Sequence, residues 1–171
     1  PTTIQGLVEQ ACFVCGVPLE TDLSTLPGHN IAIASMPVLQ GVITFRNLIQ
    51  WCAGIMATNA WIDWDGKLRF SWYNNNTGYT STIANRFDSD LYENDIQITG
   101  VVFTDIDEDK TLYIAGSDTY AIDLSGNALI SAESAQVILN GIYEVVHNYA
   151  YRPFTASVVT APYLWPMDRV T

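Results

Sequence analysis

A chain of 171 residues, 49% of them apolar, can bury a core of its own without disulfide or metal staples. Eighteen acidic against seven basic residues leave a net charge of −11, which argues against binding a phosphate backbone and against adsorption to anionic membranes. Apolar runs stop well short of the roughly 20 residues that span a bilayer, no basic-then-apolar signal opens the chain, and a start at Pro1 without methionine reads as part of something longer.

In TIQGLVEQACFVCG the apolar positions Ile4, Leu7, Val8, Ala11, Cys12 and Cys15 recur at helical spacing, and Gly16 then Pro18 supply a stop. Cys12-x-x-Cys15 invites a zinc or a redox reading. A second cysteine pair is missing, His29 and His147 are distant in sequence, and the motif sits in the last turn, where no helix dipole lowers a thiol pKa. The pattern therefore favours two packed, unreactive thiols on the buried stripe. Leu19 to Gly41 is rich in turn formers, with a short apolar IAIASM run before Pro37, and reads as a peripheral loop with one short strand. Residues 1–43 are thus expected as a helix and connecting segment, open to completing a neighbouring domain, ahead of an α+β unit over 44–171.

Thr44 is an N-cap for a second helix, with Phe45, Leu48, Ile49, Cys52 and Met56 on one face. It leads into WIDWDGKLRFSW, where Ile62, Trp64, Leu68, Phe70 and Trp72 take even positions and Asp63, Asp65, Lys67, Arg69 and Ser71 take odd ones. Strand side chains alternate faces, so this is a half-buried hairpin with an apolar core face and a solvated charged face. Keeping the apolar set on one side requires an odd loop, most simply three residues with Gly66 left-handed. Asp63 and Asp65 form a DxD pair, but without a third carboxylate or histidine nearby a metal site is disfavoured.

Further along, YNNNTGYTST is turn-like, and QITGVVFTDI reads as one strand whose apolar phase shifts at a bulge on Gly100. TLYIAG and TYAIDLS read as strands. The odd spacing of Asp105, Asp107 and Asp109 imitates an EF-hand loop, yet Lys110 and Gly116 occupy the positions that need glycine and a bidentate glutamate, so a charged hairpin tip is favoured. Ser131 caps a third helix with Ala135, Ile138, Leu139, Ile142, Tyr143 and Val146 inward, and His147 falls at its C-terminal end, where positive charge is favoured. The whole predicts an α+β fold: an antiparallel, partly barrel-like sheet with about three amphipathic helices. No nucleophile elbow, HExxH or Gly-rich phosphate loop occurs, so no catalytic, cofactor-binding or metal-ligating residue is assigned, no cofactor is expected, and the chain is not expected to be an enzyme.

The ordered set FRNLIQWCAGIMATNAWIDWDGKLRFSWY, ITGVVF, YAIDLSGNALIS, a helix, YRPF and PYLWPMDRV resembles the tail hub proteins of phages and prophages over Thr44 to Val170. Ala128 stands where that family often has proline, and Met167 where it has glycine before Asp168. The resemblance implies a virion structural protein of the tail tip or baseplate hub, made in the bacterial cytoplasm. It further implies a homo-oligomer, a trimeric ring joined to other tail and baseplate proteins that gives DNA an exit path; the charge, for its part, predicts no membrane and no specific nucleic-acid partner. The competing class is a carbohydrate-binding module stacking sugars on exposed aromatics, given five Trp and nine Tyr. A hydrolase using Asp63 and Asp65 ranks below it.

Overall fold

A computed structural model of the chain describes residues 2–33, 43–72, 77–80, 82, 86–105, 111–152, 154–158 and 169–170. Strand β1 (Thr2–Thr3) runs into helix α1 (Ile4–Cys15), where the Thr3 hydroxyl accepts from the Gly6 N–H and satisfies one of the orphan donors of the first turn. Gly16 ends the helix at φ 66°, a left-handed conformation that costs glycine nothing. Ile4, Val8, Ala11 and Cys12 are buried, as their spacing predicts, but Cys15 is exposed. The burying stripe ends one turn before the helix does.

The segment after α1 is not peripheral. Leu23, in a short 3₁₀ turn over Leu23–Thr25, is fully buried, and strand β2 (Ala32–Ile33) pairs antiparallel with β1. Helix α2 (Phe45–Ile55) starts at Thr44 with a reciprocal capping box: the Thr44 hydroxyl accepts from the Asn47 N–H while the Asn47 side chain accepts from the Thr44 N–H. Leu48, Cys52, Ala53 and Ile55 are its buried residues, whereas Phe45, expected inward, stays exposed at the first turn.

Strands β3 (Asn59–Ile62) and β4 (Leu68–Ser71) form the hairpin, pairing Ala60 with Phe70 and Ile62 with Leu68. Asp63 and Lys67 close the ladder around a three-residue loop with Gly66 at φ 78°, the geometry that parity required. Parity fixed the side on which each residue points but not how far the cover extends. Leu68 and Phe70 are buried, Trp72 is half-buried, and Ile62 and Trp64 stand 55% and 71% exposed, beyond the helices that cover the base of the hairpin. Along the other edge of β4, Pro18 to Thr21 acts as a third strand. The Leu68 N–H donates to Pro18 O at 2.8 Å, the Glu20 N–H donates to Leu68 O at 3.0 Å, and the Phe70 N–H donates to the Thr21 hydroxyl at 2.8 Å.

Strand β5 (Thr77–Tyr79) is followed by β6 (Arg86–Leu91), β7 (Ile96–Gln97), β8 (Gly100–Thr104), β9 (Leu112–Gly116) and β10 (Ala121–Asp123). β9 pairs antiparallel and β10 parallel with β8, one on each edge. Gly100 is no bulge: β7 and β8 are separate strands in separate sheets, and Gly100 opens β8 opposite Gly116, where a Cβ would lie 2.0 Å from Ser117 O. The phase shift in the sequence marks a change of sheet. Helix α3 (Ala132–Val146) packs on β8 and β9, with every residue expected inward buried except Tyr143, which is half-buried with its ring lying over Gly116. Three more strands follow. β11 (Ala150–Tyr151) pairs antiparallel with β7, β12 (Phe154–Val158) antiparallel with β6, and β13 (Arg169–Val170) parallel with β5. The chain is α+β, with three helices and several antiparallel sheets that close no barrel among the described residues. One core joins Ile4, Val8 and Leu23 to Ile55, Val101 and Leu139.

Candidate functional site

The DxD pair comes apart in the structure. Asp65 is exposed in the turn, whereas the Asp63 side chain is wholly buried, so the charged face is not uniformly solvated. Asp63 Oδ1 accepts from the backbone N–H groups of Asp65 and Lys67, both at 2.9 Å, and Oδ2 accepts from Arg69 Nε at 2.6 Å. Burial pushes its pKa up, but the Lys67 N–H, the Arg69 guanidinium and the Asp65 N–H together outweigh that and hold the carboxyl below its ordinary value. Both oxygens are thus engaged in closing the turn. Arg69 and Lys67 reach on to Glu20, at 3.5 Å and 2.7 Å, and tie the added strand to the hairpin through charge as well as backbone. The hydrogen bond from Lys67, with its charge, lowers the Glu20 pKa, and the same bond raises that of Lys67. This array is a clamp for a three-stranded unit. The sequence signal for it was Glu20, far away in the chain and unreadable as a partner.

Of the three free thiols, Cys12 and Cys52 are buried and Cys15 is exposed. Burial drives the Cys52 pKa up to about 12, and burial followed by the neighbouring Cys15 and Glu9 raises that of Cys12. No group of three potential metal ligands occurs among the described residues. Asp105 accepts the hairpin's closing geometry, its N–H donating to Thr111 O at 3.0 Å, so β8 and β9 form the predicted hairpin; its tip, 106–110, lies outside the described residues, as does most of 73–85. His147 caps α3, with Nδ1 2.7 Å from Tyr143 O. No described helix is long and apolar enough to cross a membrane.

Two surface features remain. A cleft of about 660 Å³ opens where α1, α2 and the hairpin meet, walled by Cys15, Phe45, Ile49, Ala60, Ile62 and Trp72. Small residues, Ala11, Ala53, Gly54 and Ala57, leave this space because their side chains cannot fill it. Arg46 is the one charged residue on its wall, exposed and in no ion pair among the described residues. The other feature is the β6–β12 ribbon. Arg86 to Asp90 and Phe154, Thr155 and Ser157 are all exposed, the two strands pack chiefly on each other, and the ladder is bulged at its far end, between Ser157 and Val158. Asp88 and Asp90 face the same side as Thr155 and Ser157, and Phe87 protrudes, 78% exposed.

Phe45 and Trp64, both expected inward, are exposed, as are Phe87, Tyr92, Tyr120 and Phe154, each on a different strand, helix or loop. Comparison with protein-family models, curated protein sequences and solved structures found no match.

Proposed function

We propose that this chain is a structural part of a phage or prophage tail tip or baseplate hub, working as a homo-oligomer, a trimer, that joins other tail proteins and gives DNA a passage. The observation that carries this is the β6–β12 ribbon. A two-stranded ribbon in water is marginal by itself and needs a further strand or a packed face, and here both faces are exposed and neither strand has a second partner among the described residues. Such an element gains its stability in an assembly. The remaining polar groupings support the same reading, since the Asp63, Lys67, Arg69 and Glu20 array holds strands together and leaves no convergent titratable set for chemistry among the described residues. The ordered motifs over Thr44 to Val170 supply the resemblance to tail hubs.

In such a ring, the net charge of −11 keeps phosphates from sticking as DNA passes, and Asp88, Asp90 and Glu93 are exposed for that role. The decisive experiment is the solution mass of the chain by light scattering together with antibody labelling of tailed particles from the encoding cell. A trimer and label confined to the tail tip are expected; a monomer at high concentration with unlabelled particles refutes the proposal.

A further inference from the structure

We infer that the β6–β12 ribbon is an arm that swings as one body about a hinge at its root, latched there by the Asp95–Arg152 ion pair. The arm belongs to a single copy, so it stands apart from the assembly proposed above. Two chain segments join the ribbon to the body on this side, and both leave the ladder at the same place. Tyr151 pairs with Ile96 and Phe154 with Leu91, which sets four residues, 92–95, on one side against two, 152 and 153, on the other. Residues 92–95 belong to no strand. Unequal lengths of unpaired chain bend a ladder, and a few residues at strand ends suffice to absorb the turn of a hinge.

On the body side of the hinge the chain is held. Gln97 Nε2 donates to His147 O at 3.1 Å, Ile98 packs against the core, and the Tyr149 ring meets Trp72 edge-on at a centroid distance of 6.4 Å. Beyond the hinge nothing comparable occurs among the described residues: β6 and β12 pack chiefly on each other, and Arg86 to Asp90, Phe154, Thr155 and Ser157 are exposed. A segment with few apolar contacts outside itself moves at little cost to the rest of the fold. The ladder from Phe154–Leu91 to Ser157–Asp88 keeps its two strands together as it does so. Across the break, Arg152 Nε donates to Asp95 Oδ1 at 2.7 Å, with side chains 44% and 58% exposed, and so joins the two hinge segments directly. An exposed pair holds weakly and is screened by salt, which suits a latch that has to release.

Spin labels read the swing in the full chain, with C15S removing the exposed thiol and labelled protein diluted into unlabelled. V137C on α3 and S157C on the arm, both exposed positions, should give a distance distribution about twofold wider or more than V137C paired with F13C on α1. R152A should widen it further without disturbing the core, since Arg152 is exposed. Salt at about 1 M should do the same to the parent and add nothing to R152A. D88C and S157C, opposite each other in the ladder, should stay close enough to broaden each other's spectra throughout. An arm-to-body distribution as narrow as the body's own, or a lost D88C–S157C coupling, overturns the arm. A distribution that neither R152A nor salt moves overturns the latch.

Discussion

Replacing Phe70 by alanine tests whether the hairpin's even face builds the core, because Phe70 is 3% exposed while Ile62, on the same face, is 55% exposed. An aromatic side chain removes roughly 150–250 Å² from water. At roughly 25 cal/mol per Å², and with alanine keeping a share of that burial, the lost transfer energy is about 2–4 kcal/mol. The void left beside Leu68 and the helices adds to it, so the expected loss is about 3–5 kcal/mol, a large part of a small domain's stability. Ile62→Ala removes side-chain atoms that water already reaches and should cost under about 1 kcal/mol. Urea titrations of the two variants and the parent, followed by tryptophan fluorescence and compared at equal slope, measure both quantities. A Phe70→Ala loss below about 1 kcal/mol, or equal losses for the two, would show that the face does not pack as described.

Gly100→Ala puts a methyl group 2.0 Å from Ser117 O and 2.8 Å from Ala115 O, both backbone, so β8 and the β9 end must separate; a loss of at least about 1–3 kcal/mol is expected in the same titration, and a neutral result refutes the close approach. Asp63→Asn should destabilise the fold more than Asp65→Asn at neutral pH. Because the folded pKa of Asp63 is depressed, its contribution is full above the ordinary value of 3.8 and fades as pH falls below that through the folded value. Melting curves of Asp63→Asn and parent should therefore converge in acid, and a constant gap down to that range would count against the role of the ionised carboxylate. A thiol reagent should label Cys15 quickly in the native protein and reach Cys12 and Cys52 only on unfolding, read by mass spectrometry; three fast sites, or none, would contradict the burial pattern.

Helices were the most legible elements, because Thr3, Thr44 and Ser131 each precede an apolar stripe at period 3.6 and local chemistry decides the start. The hairpin turn was equally local: parity plus Asp65-Gly66 specify a three-residue loop. What failed was set at long range. The Pro18–Thr21 strand has no strand-like alternation, since its place comes from hydrogen bonds to Leu68 and Phe70. Cys15, Ile62 and Trp64 carry the right periodicity but lie where their covering elements stop. Asp63 reads as a solvated charge until Arg69 and the turn N–H groups are brought to it. The ribbon's pairing was invisible for a related reason, as β6 and β12 are far apart in the chain: FTASV alternates as a strand does, but nothing local names its partner.

The Thr21 hydroxyl meets the Phe70 N–H across 49 residues of chain, and this separation sets an order on synthesis. At roughly 5–20 residues per second, α1 and the Pro18–Thr21 segment leave the ribosome several seconds before the strand they pair with exists. Through that interval Ile4, Val8 and Leu23 have no hairpin or α2 to cover them. This part of the nascent chain is then a helix with an uncovered apolar stripe beside an unpaired strand edge, an attractive target for holdases and for neighbouring chains in the same state. Dense expression should therefore favour aggregation over folding at this stage, and slowing initiation should raise the yield of native protein more than slowing elongation between residues 21 and 70.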